Sequence, residues 1–115
     1  MKLLKDSKRA LLKPHLLSVE ELSIPEIDIL LNKANFYADA NKQRGKIVKT
    51  LKGSTVITLF FETSTRTKTS FELAAKRLGA DSIGINASAS AIKKGETLID
   101  TAMTLNAMHA DILIV

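Results

Sequence analysis

The sequence has no cysteine and only two histidines among its 115 residues. The first absence excludes a disulfide framework, a thiol nucleophile and a thiolate metal site. The second leaves His15 and His109 as the only imidazoles, with no close-spaced ligand pair, so no metal centre is expected. Aromatic residues are scarce, at one tyrosine and four phenylalanines. None interleaves with the basic clusters, which argues against a stacking platform for nucleic acid. No apolar run reaches the roughly 18 residues that a membrane span needs. The opening Met1-Lys2-Leu3-Leu4-Lys5-Asp6 is basic, with no apolar stretch of the secretory type behind it. Together these predict a cytoplasmic protein without membrane or nucleic-acid partners.

What is present is ordinary for a soluble globular domain: 45% apolar and 25% charged residues. The length is that of a single domain. The formal charge of +5 suits either a nucleic-acid surface or a site for a small anion. Much of it lies in Lys2, Lys5, Lys8, Arg9 and Lys13, then in Lys42, Arg44, Lys46, Lys49 and Lys52. Charge runs of this kind are read as solvated faces.

Residues 1–17 show little pattern. Ser18-Val19-Glu20-Glu21 and Ser23-Ile24-Pro25-Glu26 each place a serine three residues before a glutamate, the arrangement of a capping box. The second precedes Ile27, Leu30, Leu31, Ala34, Tyr37 and Ala38, an amphipathic stripe predicting a helix from about Pro25 to Asn41. Thr55–Phe61 is β-branched, aromatic and uncharged, and reads as a buried strand. Phe71, Ala74, Ala75 and Leu78 then step at helical spacing until Gly79 closes the helix. Asp81–Asn86 reads as a second strand, 87–95 as a loop, Glu96 to about Met108 as a helix with Leu98, Ala102 and Leu105 on one face, and Asp111–Val115 as a third strand. The expected fold class is α/β: N-terminal helices, then a β-α-β-α-β parallel-sheet unit with right-handed crossovers. The sequence stops inside its last apolar strand, so an incomplete domain is expected.

The first strand-to-helix junction holds Ser64, Thr65, Arg66, Thr67, Thr69 and Ser70. The C-terminal edge of a parallel strand is where ligands bind in α/β folds. A helix start adds unpaired amides and partial positive charge, and Arg66 adds a planar cation that fits phosphate oxygens. The set reads as a phosphate pocket, although helix capping competes for the same hydroxyls. There is no Gly-rich cradle ending in Gly-Lys-Ser/Thr, so it is not a nucleotide P-loop. Lys93 and Lys94, in a loop just before a helix, could offer mobile point charges or simply be solvated.

The string Leu59-Phe60-Phe61-Glu62-Thr63-Ser64-Thr65-Arg66-Thr67-Lys68-Thr69-Ser70-Phe71-Glu72, with Arg77-Leu78-Gly79-Ala80, Lys93-Lys94-Gly95-Glu96-Thr97 and Asp100-Thr101, resembles the aspartate/ornithine carbamoyltransferase family. The resemblance covers about residues 16 to 115. The Phe-Phe-Glu and Lys-Gly-Glu-Thr segments resemble the aspartate branch rather than the ornithine branch. It implies part of a carbamoyl-phosphate-binding domain, with the aspartate-binding domain outside this sequence. Ser64, Thr65, Arg66 and Thr67 match residues that hold the phosphate of carbamoyl phosphate. Arg66 and Thr67 also match catalytic positions near the carbamoyl oxygen. Ser90 and Lys94 match a serine and a lysine that reach into the site from a neighbouring subunit, which implies a homotrimer with shared sites. Regulatory chains are a further class of partner in the family. Glu62 matches a residue linked to domain closure, and Lys68 stands where the family commonly has arginine. The implied reaction is carbamoyl transfer from carbamoyl phosphate to L-aspartate, the first committed step of pyrimidine synthesis, with no cofactor. These 115 residues alone are expected to be inactive, because the second-substrate site and later carbamoyl contacts are missing. An ornithine-specific relative and a non-catalytic phosphate-binding or assembly module are the alternative readings.

Overall fold

The computed structural model describes residues 11–43, 48–61, 64–86 and 98–115. The chain divides into two compact units, Met1–Lys46 and Ile47–Val115.

The first unit is built on α1, Ile24–Asn41, preceded by a single 3-10 turn over Val19–Glu21. Both serines act as N-caps, with different outcomes. Ser23 closes a full capping box: its hydroxyl accepts from the Glu26 amide at 3.4 Å, and Glu26 accepts from the Ser23 amide at 3.1 Å. Ser18 caps only the 3-10 turn, accepting from the Glu20 amide at 3.2 Å. Its expected partner Glu21 pairs instead with Lys13 at 3.3 Å. Glu26 also accepts from the Leu12 amide at 3.1 Å, which straps the preceding segment to the helix start. These three donors outweigh the desolvation of a side chain only 6% exposed and hold its pKa below the ordinary glutamate range. The strap's amide is the largest cause, followed by the Ser23 amide and hydroxyl, with nearby Lys13 adding a little. Among the described residues the apolar stripe of α1 finds no core: Leu31 stays 58% exposed, with no second layer of described structure in this unit.

The second unit is the expected alternation of strand and helix. β1 (Thr55–Phe60), α2 (Thr65–Arg77), β2 (Asp81–Asn86), α3 (Leu98–Ala107) and β3 (Ile112–Ile114) form a parallel sheet of order β2-β1-β3. β1 is central, which explains its charge-free composition: Val56, Ile57, Thr58 and Leu59 are all buried. Its side chains alternate between the two faces. Val56 packs with Ala75 of α2 and with Ala80; Ile57 and Leu59 pack with Leu105 of α3.

Two of the expected helix faces differ from those observed. On α2 only Ala75 is buried, and Phe71 remains 43% exposed. The inward face of α2 keeps the expected Ala75 but carries Glu72 in place of Phe71, because a buried threonine on β1 bonds Glu72. On α3 only Leu105 is buried, and Leu98 stays 58% exposed; a narrow sheet covers little of that helix. α2 ends in a Schellman motif, with Ala80 N–H on Ala75 O and Gly79 N–H on Lys76 O, both at 3.0 Å. Gly79 takes the required left-handed conformation at φ 82°. His109 occupies the corresponding position after α3 at φ 56°, without glycine's freedom. No described helix is long and apolar enough to cross a membrane.

Candidate functional site

The candidate site forms where β1 hands over to α2. Parallel pairing on both sides fixes β1 at the centre of the sheet, so its C-terminal end opens between two neighbours. This is the ligand-binding edge of an α/β sheet. Ser64 is the N-cap of α2, and its carbonyl accepts the first helical bond, from the Lys68 amide at 3.0 Å.

Its hydroxyl does not cap. Ser64 Oγ donates to Thr67 Oγ1 at 2.9 Å, and no side-chain cap bond reaches the first-turn amides. The amides of Thr65, Arg66 and Thr67 are thus left without a capping oxygen, at the positive end of the helix. The first turn of α2 holds no acidic residue, whereas that of α1 holds Glu26. α1 satisfies its own N-terminus; at α2 no described side chain does so. Arg66 is exposed beside these amides, and no carboxylate among the described residues pairs with it. A tetrahedral oxyanion fits such a set: amides converge on one oxygen, hydroxyls and a guanidinium fork on the others.

The structure therefore brings Ser64, Thr65, Arg66 and Thr67 together. Ser70 is removed from the set. Its hydroxyl donates back to Arg66 O at 2.8 Å and Thr67 O at 3.0 Å, as serines inside helices commonly do. Glu62, Ser90, Lys93 and Lys94 lie outside the described residues. His109 is exposed beyond the end of α3. Lys13, Lys42, Lys49 and Lys52 are exposed, as expected of solvated charge.

Two residues behind the site escaped the sequence reading. Thr58, on the middle of β1, has no exposed surface, and its hydroxyl donates to Glu72 Oε1 at 3.1 Å. Lys68 approaches the same oxygen at 3.9 Å. The available signal was a hydroxyl set inside the apolar run Val56–Phe61, six positions before Ser64.

Comparison with known proteins agrees with this geometry. Residues 14–115 match the family model described as aspartate/ornithine carbamoyltransferase, carbamoyl-P binding domain. The aspartate carbamoyltransferase catalytic subunit of Rhodospirillum rubrum is 56% identical over 101 residues, covering 88% of this chain and 32% of that protein. The chain spans about a third of the length of such curated relatives. Among solved structures, aspartate transcarbamoylase of Trypanosoma cruzi in complex with carbamoyl phosphate superposes with a TM-score of 0.75 at 37% identity. That match covers 85% of this chain and 31% of the other. The catalytic subunit of M. jannaschii aspartate transcarbamoylase gives a TM-score of 0.76 at 38% identity, over 88% of this chain and 33% of its own. With a sheet, a helix start and a signature that all coincide, the chain belongs to the aspartate/ornithine carbamoyltransferase family.

Proposed function

We propose that this chain supplies the carbamoyl-phosphate half of an aspartate carbamoyltransferase site. The uncapped start of α2 is the observation that carries the reading, because its free amides lie beside Ser64, Arg66 and Thr67. In this reading residues 1–115 form part of the carbamoyl-phosphate-binding domain. Ser64, Thr65, Arg66 and Thr67 hold the phosphate. The aspartate amino nitrogen forms a bond to the carbamoyl carbon, the bond from that carbon to the phosphate oxygen breaks, and the phosphate leaves carrying the proton that the amine loses. Arg66 and Thr67 stabilise charge on the carbamoyl oxygen, and the helix amides stabilise the departing phosphate. Holding both substrates in one site supplies much of the remaining rate. The relatives named as aspartate enzymes support aspartate over ornithine as the acceptor. In the same reading Ser90 and Lys94 reach into a neighbouring subunit's site and Glu62 serves domain closure. Assembly as a cytoplasmic homotrimer, with regulatory chains as further partners, belongs to the same proposal.

The test is product formation by the protein in its assembled state, with carbamoyl phosphate and either amino acid. Carbamoyl-aspartate is expected with L-aspartate and no product with L-ornithine. Product with ornithine, or no carbamoyl transfer at all together with no binding of inorganic phosphate, would overturn the reading.

A further inference from the structure

We propose that Thr58, Glu72 and Gly84 form a positioning device that sets the rotation of α2, and through it the placement of Ser64–Thr67. The inference rests on the reading of the α2 start as a phosphate site.

The device begins with an anomaly of composition. Thr58 sits fully buried in the central strand, flanked by Ile57 and Leu59. A buried hydroxyl costs free energy unless it is bonded, and this one is bonded to a side chain on the covering helix, at Glu72 Oε1. α2 carries two possible inward faces. Phe71, Ala74 and Leu78 make an apolar one; Lys68 and Glu72 make a mixed one, about 100° away at the helical angle per residue, and Ala75 lies on the border of both. Hydrophobic burial alone favours the first. The structure adopts the second, leaving Phe71 43% exposed. The Thr58–Glu72 bond is the interaction that distinguishes them, which is the register-setting use of a polar pair in a core.

Gly84 makes the second half of the device. It lies beside Thr58 in the β1–β2 register. A Cβ there would overlap Glu72 Oε1 and come within 2.8 Å of Lys68 Cε and 3.1 Å of Glu72 Cδ. Glu72 is the far end of a flexible side chain, so a methyl group would displace it rather than break the sheet. That displacement takes it from Thr58. The consequence for the site follows from helix geometry. Turning α2 by one residue's angle moves a backbone atom at radius ~2.3 Å by roughly 3–4 Å. That exceeds the tolerance of a hydrogen bond, about half an ångström.

These 115 residues contain no cysteine, so once any cysteine elsewhere in the full protein is replaced by serine, a single introduced thiol reports rotation directly. A Phe71→Cys variant reports the exposure of position 71 through its labelling rate with a thiol reagent. Thr58→Val and Gly84→Ala, introduced separately in the full protein with and without that probe, should each slow labelling. They should also raise the Kd for inorganic phosphate about tenfold at temperatures where circular dichroism shows the fold intact. Thr58→Ser and Glu72→Gln retain the donor and the accepting oxygen and should behave as the unaltered protein. If Thr58→Val fails to fold, Gly84→Ala carries the test alone. Unchanged phosphate affinity in the folded variants overturns the inference, as does affinity loss that Thr58→Ser does not restore. If the unaltered protein binds no phosphate, the phosphate-site reading falls. Labelling then judges the device: slowed rates uphold its control of rotation, and unchanged rates overturn it.

Discussion

Replacing Ser64 by alanine separates two physical roles that serine can have at a helix start. If its hydroxyl capped α2, the loss would cost about 0.5–2 kcal/mol of stability. The structure assigns it otherwise: Oγ donates to Thr67 Oγ1 at 2.9 Å on an exposed surface and leaves the amides open. Removing such a bond should change stability by less than about 0.5 kcal/mol. For phosphate binding, losing one neutral donor is worth about 0.5–1.5 kcal/mol, a rise in Kd of about 2- to 13-fold. Ser23→Ala is the matched control, because there the hydroxyl accepts from the Glu26 amide and donates to its carboxylate. It should cost about 1–2 kcal/mol in the amide-exchange protection of α1 and leave phosphate affinity unchanged. Isothermal titration with inorganic phosphate and denaturant midpoints of both variants make the comparison. A stability loss above about 1 kcal/mol in Ser64→Ala, with phosphate affinity intact, would refute the reasoning.

The other predictions concern the same elements. Arg66→Ala should weaken phosphate binding by about 10-fold or more, the value of a charge-assisted bond, whereas Arg66→Lys should lose less, keeping the charge without the fork; parallel titrations compare them. Gly79→Ala should lower stability by at least about 1–2 kcal/mol, the cost of a left-handed non-glycine residue, since its Cβ would also lie 3.3 Å from Lys49 Cα. His109→Gly should raise stability by up to about 1 kcal/mol for the same reason with the sign reversed; thermal melts read both. The Glu26 carboxyl has a folded pKa below its unfolded one, so its contribution is present above about pH 4.3 and is lost as pH falls through the lowered value. The protection factor of the Leu12 amide, its exchange rate relative to the intrinsic rate at each pH, should therefore fall under acid, and Glu26→Gln should abolish that dependence.

The elements of the sheet unit were legible because strand and helix patterns differ in period and because Gly79 and the Ser23–Glu26 box are local signals. β1 and β2 fall within one residue of expectation, and the second and third helices match in type and place. Helix faces were less legible. The apolar count on α2 favours Phe71, and nothing in a one-dimensional pattern reports that Thr58 lies opposite Glu72. That pairing joins residues on different elements, set by strand position and crossover geometry. The stripe on α1 shows the opposite failure: the period is right, but Leu31 stays exposed among the described residues of its own unit. At the site, the hydroxyls and Arg66 were readable as types. Which hydroxyl points at an amide, which at a neighbour and which back along the helix was not.

Ser18, Ser23 and Ser64 show what does decide that last question. All three are N-caps, and they differ in what the residue three positions later does. Glu26 answers Ser23 by accepting from its amide, so the two ends satisfy each other and the helix start is closed to outside anions. Glu21 is drawn away by Lys13, and the turn after Ser18 stops at a single 3-10 step. Thr67 has no charge with which to answer Ser64; it takes the hydroxyl's proton in a hydrogen bond and leaves the amides facing solvent. An acid at that position would both close the cap and repel phosphate. On the proposed reading, a serine start with a hydroxyl residue at the third position, a cation between them and no acid in the first turn suits completion by an anion from outside. That pattern depends only on the identities of Ser64, Arg66 and Thr67, so it can be tested one residue at a time: Thr67→Glu should close the helix start and eliminate phosphate binding while raising the stability of α2.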